Sequence, residues 1–304
     1  MVYNYPAISM GITIKSNCIV EQINMNKILL FFQNDNENFG FDSIEDLRSD
    51  LPAQYAQIGY GLEYIAQKYN VNLNGIKIVL NSSLLPGSGL GSSASTSVAL
   101  IAALEHFYDL NMNKKKISNL AYEMEKIVHG TPSGIDNTTC TYGHLIYFKG
   151  GKHKILPVPD DFNFLITYTG KQHNTKTAIK RISRFKKLNP KECKQIFKRI
   201  GDIVLLAGKK IAKGDLEAVG TFMLENQKLL ERLGISNENI AEINTIAEVY
   251  GAFGSKLTGA GLGGCVIILG ENKSLDEINK ALDDKGYISF RTNIDKEGVI
   301  SGTE

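Results

Sequence analysis

The run Pro86-Gly87-Ser88-Gly89-Leu90-Gly91-Ser92-Ser93-Ala94-Ser95 lies between a segment typical of a buried strand and a longer segment with helical spacing. Three glycines at every second position allow backbone conformations that other residues avoid, and they bring N–H groups within reach of an anion. Ser92 and Ser93 stand at the predicted helix N-terminus, where amide donors and the helix dipole favour phosphate and a hydroxyl can reach Mg²⁺. The run therefore predicts a binding loop for a triphosphate.

Two common nucleotide-binding motifs do not fit this run. No Gly-Lys-Ser/Thr follows it, as a Walker A loop requires, and Gly87, Gly89 and Gly91 do not match the Gly-x-Gly-x-x-Gly of dinucleotide-binding folds. The alternative without a function is a glycine-rich turn that ends in a serine cap. The length of the run favours phosphate binding over that turn.

The order of predicted elements indicates a mixed α+β protein. Alternation of apolar and polar residues predicts strands within 7–33, with a turn near 24–26, and further strands at 75–81, 144–149, 163–169 and 266–269. Helical spacing predicts helices at 51–70, at 115–128, over most of 177–250 and at 274–285, and a further helix directly after the glycine loop. Asn113 is the expected cap of the helix at 115–128, and Gly234 is expected to end one of the helices within 177–250. A last short strand follows. Residues 152–161 have the character of a linker and suggest a boundary between two lobes.

Composition and charge exclude several classes of protein. A chain of 304 residues with 43% hydrophobic residues can bury a core, and a net charge of +2 offers no basic surface for nucleic acid. The four cysteines are far apart, without a CxxC pair, which argues against a disulfide framework or a zinc site. No apolar run approaches the roughly 20 residues that span a bilayer. We expect a cytoplasmic protein whose partner is a small molecule and that binds neither nucleic acid nor a membrane. A homodimer is possible.

Two carboxylates follow the glycine loop in the segment EKIVHGTPSGID, which turns at Gly130, Pro132 and Gly134. A helix-end carboxylate, Glu125, and a loop carboxylate, Asp136, could therefore converge. Mg-ATP chemistry needs an oxygen ligand for the hard cation and a carboxylate beside the attacking hydroxyl. The alternatives are a solvated helix glutamate and a turn-stabilising aspartate. For His129 we favour packing or hydrogen bonding over proton transfer.

The run at 86–95 resembles the central ATP-binding signature of the GHMP kinases, the superfamily of galactokinase, homoserine kinase, mevalonate kinase and phosphomevalonate kinase. The segment HGTPSGIDN at 129–137 is similar to the one by which mevalonate kinases supply their carboxylates. The resemblance implies that Glu125 and Ser93 ligate Mg²⁺ and that Asp136 is the catalytic base. It also implies an ATP phosphate site made of Pro86, Gly87, Ser88, Gly89, Leu90, Gly91, Ser92 and Ser93.

Two further segments resemble the same family. KLTGAGLGGC at 256–265 is similar to the third GHMP signature, which implies that Thr258, Gly259 and Ala260 contact the substrate. Leu262 stands where glycine is usual, and a positive φ there would strain a leucine by about 1 kcal/mol or more, so the loop could differ in shape. YTGKQHNTKTAI at 168–179 resembles a segment that puts a threonine, here Thr175, close to the acceptor; an exposed polar turn is the alternative.

Members of the family normally begin with PGKxxLFGEHxVVYGxPAI, which delivers a lysine beside the catalytic aspartate. This sequence starts with MVYNYPAIS, whose Val2, Tyr3, Pro6 and Ala7 match the tail of that motif, whereas Asn4 replaces a glycine. We expect a misplaced start, because loss of a first strand leaves buried backbone groups unpaired at about 1–3 kcal/mol each. A true variant without the lysine is the alternative. Either case predicts weak activity, because the lysine would favour ionised Asp136.

The resemblance implies an α+β fold of two lobes. Residues 1–155 would form the N-terminal, ATP-binding lobe with a left-handed βαβ unit, and residues 156–304 a ferredoxin-like C-terminal lobe. The implied reaction is phosphoryl transfer from Mg-ATP to the 5-hydroxyl of mevalonate, in isoprenoid synthesis. Another acceptor, such as phosphomevalonate or a sugar phosphate, and a nucleotide-binding regulator with weak catalysis are the alternatives.

Overall fold

The computed structural model describes residues 5–85, 87–172 and 175–303. Contacts divide the chain into two compact units that each combine separate segments. Unit 1 comprises the described residues of Met1–Thr13, Leu85–Leu90 and Leu145–Ile294, and unit 2 comprises those of Ile14–Leu84, Gly91–His144 and Asp295–Glu304. The lobe boundary at residue 155 stays a prediction.

The described residues form eleven strands and ten α-helices. The strands are β1 (Ala7–Met10), β2 (Ser16–Gln22), β3 (Ile28–Phe32), β4 (Glu37–Phe41), β5 (Ile76–Ser82), β6 (Leu145–Lys149), β7 (Lys152–Leu156), β8 (Phe164–Tyr168), β9 (Gly254–Leu257), β10 (Cys265–Leu269) and β11 (Ile288–Arg291). The helices are α1 (Ile44–Asp50), α2 (Ala56–Tyr69), α3 (Ser92–Tyr108), α4 (Lys114–His129), α5 (Ile135–Tyr142), α6 (Thr175–Leu188), α7 (Pro190–Ile211), α8 (Leu216–Arg232), α9 (Glu238–Val249) and α10 (Asn272–Asp283).

Unit 2 is built on a four-stranded sheet of order β2-β5-β3-β4. Strands β3 and β5 pair in parallel, with Ile28 opposite Ile76, and the other two pairs are antiparallel. Buried and partly exposed residues alternate along β3 and β5, as expected for a sheet with one face toward a core. The crossover between them contains β4, α1 and α2, and its left-handed sense stays a prediction.

Helices of unit 2 begin where the sequence provides a cap. The Asn113 side chain accepts a hydrogen bond from the Lys116 amide at 3.0 Å, so α4 begins at the predicted cap. Helix α5 corrects an expectation: Asp136, predicted to lie in a loop, is in the first turn of a helix that follows Gly134 at φ +81°. Sequence periodicity missed α5 because it has only eight residues and four of them are polar Asn or Thr.

Unit 1 contains two antiparallel sheets, of order β1-β6-β7 and β11-β8-β10-β9. Strands β8 to β11, counted from first to fourth along the chain, stand in the order 4-1-3-2. Helices α6 to α9 lie between the first and second of them, and α10 lies between the third and fourth. This order is the ferredoxin-like arrangement, which confirms the prediction for the C-terminal half.

The predicted linker at 152–161 was wrong in its first half. Residues 152–156 form β7, which pairs with β6 so that Lys149 lies opposite Lys152. Gly150 and Gly151 make the connection at φ +55° and +76°. Two left-handed residues suit a two-residue hairpin turn, and this turn returns the chain onto β6.

Two further findings concern helices and cysteines. Among the described residues, the structure has no helix of the length and apolar character that crossing a membrane demands. All four cysteines are free, in agreement with a chain whose cysteines are widely spaced.

Helix α8 and strand β9 approach each other through glycine. A Cβ atom at Gly220 would lie 2.1 Å from the Phe253 carbonyl oxygen, and one at Gly254 would lie 2.2 Å from the Gly220 carbonyl oxygen. Both contacts are with backbone, which side-chain rotation cannot relieve. The strand that leads into the third signature is therefore fixed by a glycine contact.

We predict that Gly220→Ala destabilises the protein by about 2–3 kcal/mol, because the added methyl group overpacks against rigid backbone. Gly208→Ala is a matched control in helix α7, since its Cβ would lie at an ordinary 3.5 Å from Leu156 Cδ1, and alanine raises helix stability by about 0.5–1 kcal/mol. Urea denaturation measures both effects. Equal midpoints for the two variants would contradict the close contact.

Candidate functional site

The glycine loop has the backbone that its sequence predicts. Gly87, Gly89 and Gly91 have φ values of +68°, +75° and +77°, in the region that favours glycine. Pro86 lies outside the described residues. The loop is shared, because residues 87–90 belong to unit 1 and Gly91 with the following helix to unit 2.

Three segments of unit 1 meet at the first part of the loop. A Cβ at Gly87 would lie 2.7 Å from Gln172 Cγ, and one at Gly259 would lie 3.1 Å from the Gly89 carbonyl oxygen. A Cβ at Gly263 would lie 2.6 Å from the Lys171 carbonyl oxygen. The third signature therefore approaches the glycine loop through its backbone.

The predicted contact residues of unit 1 differ in what they expose. Ser88 is 1% exposed, and its hydroxyl has no hydrogen-bond partner among the described residues, so Ser88 presents backbone rather than side chain. The Thr258 amide donates to the Cys265 carbonyl oxygen at 2.9 Å. Gly259 is exposed, whereas Ala260 is half-buried. Thr175 is the first residue of α6 and is half-buried.

Leu262 adopts the conformation that would strain it. Its φ is +64°, a left-handed value that costs a non-glycine residue about 1 kcal/mol or more. The Leu262 amide donates to the Ile235 carbonyl oxygen at 2.8 Å, and the side chain packs against the core of unit 1. These contacts compensate for the strain, so the loop has a left-handed residue at this position despite the missing glycine.

Unit 2 places a hydroxyl, a carboxylate and an amide together. Ser93, the second residue of α3, donates through Oγ to Glu125 Oε1 at 2.5 Å and lies 2.7 Å from Gln57 Oε1. Glu125 is one turn before the end of α4 and only 3% exposed, and Gln57 is 9% exposed. The two predicted metal ligands are thus in direct contact inside the unit.

The electrostatics of Glu125 are those of a carboxylate removed from water. Burial raises the pKa of Glu125, and the nearby Asp136 carboxylate raises it further. The Ser93 hydrogen bond and the charge of His129, whose Nε2 lies 3.5 Å from Glu125 Oε2, lower the pKa in part. The net result is a buried acid that is not fully compensated by its protein neighbours.

Asp136, the predicted base, is exposed, whereas Glu125 is buried. Asp136 is in the first turn of α5, where the helix dipole favours a negative charge. A Cβ at Gly91 would lie 3.7 Å from Asp136 Cβ and 3.9 Å from Cys140 Sγ. The absence of a side chain at Gly91 therefore leaves space beside the predicted base.

Sequence reasoning missed a residue beside Ser93 and a buried lysine of the third signature. Gln57 lies outside the apolar face of the predicted helix at 51–70, so helical spacing gave no signal that this amide is buried. Lys256 belongs to the third signature, and burial lowers its pKa to about 8. Its Nζ donates to the Leu257 carbonyl oxygen at 2.5 Å. No pattern in the sequence indicated that this lysine would be desolvated.

The oxygen atoms around Ser93 fit a hard divalent cation that also takes ligands from a substrate. Mg²⁺ is usually bound by one or two carboxylates together with phosphate oxygens and water. Glu125 supplies one buried carboxylate, and Ser93 supplies a hydroxyl beside it. Within the described ranges no three His, Cys, Asp or Glu side chains form a metal cage.

Comparisons with known proteins agree with this geometry. The profile of the GHMP kinases N terminal domain matches residues 56–144, and that of the GHMP kinases C terminal domain matches residues 208–288. A mevalonate kinase of Pyrococcus furiosus is 30% identical over 98% of this chain and 92% of its own length.

Solved structures give the same result. The Methanococcus jannaschii mevalonate kinase superposes with a TM-score of 0.86 at 28% identity and covers 96% of this chain and 92% of its own. The L. major mevalonate kinase in complex with R-mevalonate superposes with a TM-score of 0.81 at 27% identity, over 98% of this chain and 92% of its own. The fold is thus the α+β fold of these kinases, and the chain belongs to the GHMP kinase family.

Proposed function

We propose that the protein transfers the γ-phosphoryl group of Mg-ATP to the 5-hydroxyl of mevalonate. The observation that carries this proposal is the buried Glu125 carboxylate, hydrogen-bonded to Ser93 in the first turn of the helix that follows the glycine loop. Similarity to mevalonate kinases over nearly the whole chain supports mevalonate as the acceptor.

The ATP phosphates are bound by the loop of residues 86–93, for which the described part is 87–93. Left-handed residues are typical of loops whose amides bind anions, and the glycines at 87, 89 and 91 are left-handed. The first amides of α3 have no partner within the helix. These donors and the helix dipole favour a polyphosphate. The binding contribution comes mainly from backbone, which agrees with the buried side chain of Ser88.

Glu125 and Ser93 hold the cation of the nucleotide. The Glu125 carboxylate is desolvated and lies beside the Ser93 hydroxyl, so a positive charge there would compensate for its burial. A bound Mg²⁺ supplies neutralisation of the charge that develops on the β- and γ-phosphates.

Asp136 positions the acceptor hydroxyl and takes its proton. The hydroxyl oxygen forms a bond to the γ-phosphorus while the bond from that phosphorus to the β,γ-bridging oxygen breaks, which leaves ADP. The hydroxyl proton moves to the Asp136 carboxylate and then to water. Asp136 is exposed, beside the space left by Gly91, so a substrate can reach it.

We assign the acceptor contacts to Thr175, Thr258, Gly259 and Ala260. Exposure of Gly259 and its backbone contact with Gly89 support a role for this loop. Thr175 begins α6 and offers both a hydroxyl and an amide at a helix N-terminus, where an anionic acceptor group is favoured.

A panel of acceptors in a coupled assay of ADP release tests the function. We expect turnover with R-mevalonate to exceed that with phosphomevalonate, galactose or homoserine by roughly 10²-fold, because a site built for one set of polar groups rejects others. Preference for another acceptor would reassign the substrate within the family. ATP binding without ADP release from any acceptor would instead favour a nucleotide-binding regulator.

We predict that Asp136→Asn lowers kcat by about 10² to 10⁴ and leaves ATP affinity nearly unchanged, the range for loss of a positioned base. Steady-state kinetics and calorimetry measure the two effects. Asp46→Asn is a matched control, because Asp46 also lies in the first turn of a helix, α1. Unchanged turnover of Asp136→Asn would remove Asp136 from the mechanism.

We predict that Glu125→Gln makes the ligand-free protein more stable than the wild type at pH 7–8. Folding raises the pKa of Glu125, so its stabilising contribution is complete below the unfolded value of about 4.3 and is lost as pH rises through the folded pKa. The advantage of the variant in melting temperature should therefore grow from pH 4 to pH 8.

Glu123→Gln on the same helix is the control for this experiment. Glu123 is half-exposed and pairs with Lys126 at 2.7 Å, so its replacement removes a carboxylate from the same helix without removing a buried one. Parallel melting curves of Glu125→Gln and the wild type across the pH range would contradict the burial of an uncompensated acid.

A further inference from the structure

Gln57 is a buried amide that touches the proposed cation ligands without a role in the mechanism above. It lies on α2, is 9% exposed, and directs its Oε1 to within 2.7 Å of Ser93 Oγ. Ser93 Oγ also lies 2.5 Å from Glu125 Oε1. The hydroxyl thus has two oxygen atoms within hydrogen-bond distance, and they belong to different helices.

The number of hydrogens limits how this arrangement can work. A serine hydroxyl has one hydrogen and two lone pairs, and an ionised carboxylate can only accept. Ser93 therefore cannot donate to Gln57 and to Glu125 together. The amide of Gln57 offers an acceptor on one side and two donors on the other, and the two orientations have nearly the same shape. Gln57 can consequently satisfy Ser93 whichever way the hydroxyl hydrogen points.

A cation bound by Ser93 and Glu125 would fix the direction of the Ser93 hydroxyl hydrogen. When Ser93 and Glu125 share a cation, the Ser93 lone pairs face it and the hydroxyl hydrogen must point elsewhere. Besides Glu125 Oε1, the side-chain acceptor within hydrogen-bond distance of Ser93 Oγ among the described residues is Gln57 Oε1. We propose that Gln57 is a positioning residue, which accepts the Ser93 hydrogen and so directs the Ser93 lone pairs toward the cation of the bound nucleotide. This inference rests on the proposed function.

Packing and charge both suit Gln57 to this task. Its neighbours along α2, Ile58, Leu62 and Ile65, are at most 2% exposed, so the helix that carries the amide is anchored in the core of unit 2. The amide is neutral and adds no repulsion to the buried Glu125. It therefore orients Ser93 without competing with Glu125 for the cation.

Two substitutions separate the acceptor from the shape of the side chain. Gln57→Met keeps the length and removes the amide, whereas Gln57→Glu keeps an oxygen acceptor. We expect Gln57→Met to weaken ATP binding about tenfold in excess Mg²⁺, the cost of one unsatisfied hydroxyl, and to leave ATP binding in EDTA unchanged. Gln57→Glu should restore Mg²⁺-dependent binding to within about threefold of the wild type. Isothermal titration calorimetry measures all of these affinities.

Thermal melting shows first whether each variant folds. If Gln57→Glu does not fold because of its buried charge, the Mg²⁺ dependence of Gln57→Met decides alone. An equal loss of affinity with and without Mg²⁺ would show a purely structural role for Gln57 and overturn the proposal. Unchanged affinity of Gln57→Met in Mg²⁺ would overturn it as well.

A further arm separates this proposal from the proposed function. Glu125→Gln should also lose Mg²⁺-dependent ATP affinity. If it does and Gln57→Met does not, the cation site stands and the role of Gln57 fails. If neither the wild type nor any variant binds ATP more tightly in Mg²⁺ than in EDTA, the cation site itself fails, and the inference about Gln57 fails with it.

Discussion

The burial of the Glu125 carboxylate is the constraint on which the candidate site depends. Removing an ionised carboxylate from water costs several kcal/mol unless hydrogen bonds or a positive charge compensate. Ser93 and His129 compensate in part, and burial still raises the pKa of Glu125. A nucleotide-bound cation would complete the compensation. On the proposed function, this interior acid is therefore stabilised fully only when the nucleotide and its cation are bound.

Backbone conformation, rather than side chains, shapes the glycine loop. The left-handed glycines at 87, 89 and 91 give the loop its path, and the Gly259 backbone approaches Gly89. These features depend on glycine, because a side chain at these positions would disfavour the backbone conformation or block the close approach. The proposed function accordingly takes its phosphate contacts from amides and assigns charged and hydroxyl side chains to the cation and the acceptor.

Sequence reasoning succeeded where one local rule determines the structure. The glycine loop between strand and helix, the Asn113 cap and the helix end at Gly234, with φ +74°, were all predictable from residue type and spacing. Sequence reasoning failed where contacts between distant segments, or the shortness of a segment, determine what structure forms. Strand β7 exists because a two-glycine turn folds it onto β6, and α5 is too short for periodicity to reveal. The contact of Gln57 with Ser93 joins residues 36 positions apart, which no local pattern contains.

Glu125 and Ser93 are proposed to hold the cation of bound ATP together. Anomalous diffraction from crystals grown with ATP and Mn²⁺ in place of Mg²⁺ tests it most directly, because Mn²⁺ gives a signal that locates the ion without reference to the protein atoms. We expect one ion within bonding distance of Ser93 Oγ, a Glu125 carboxylate oxygen and phosphate oxygens. An ion bound to the phosphates but away from both side chains would contradict the account.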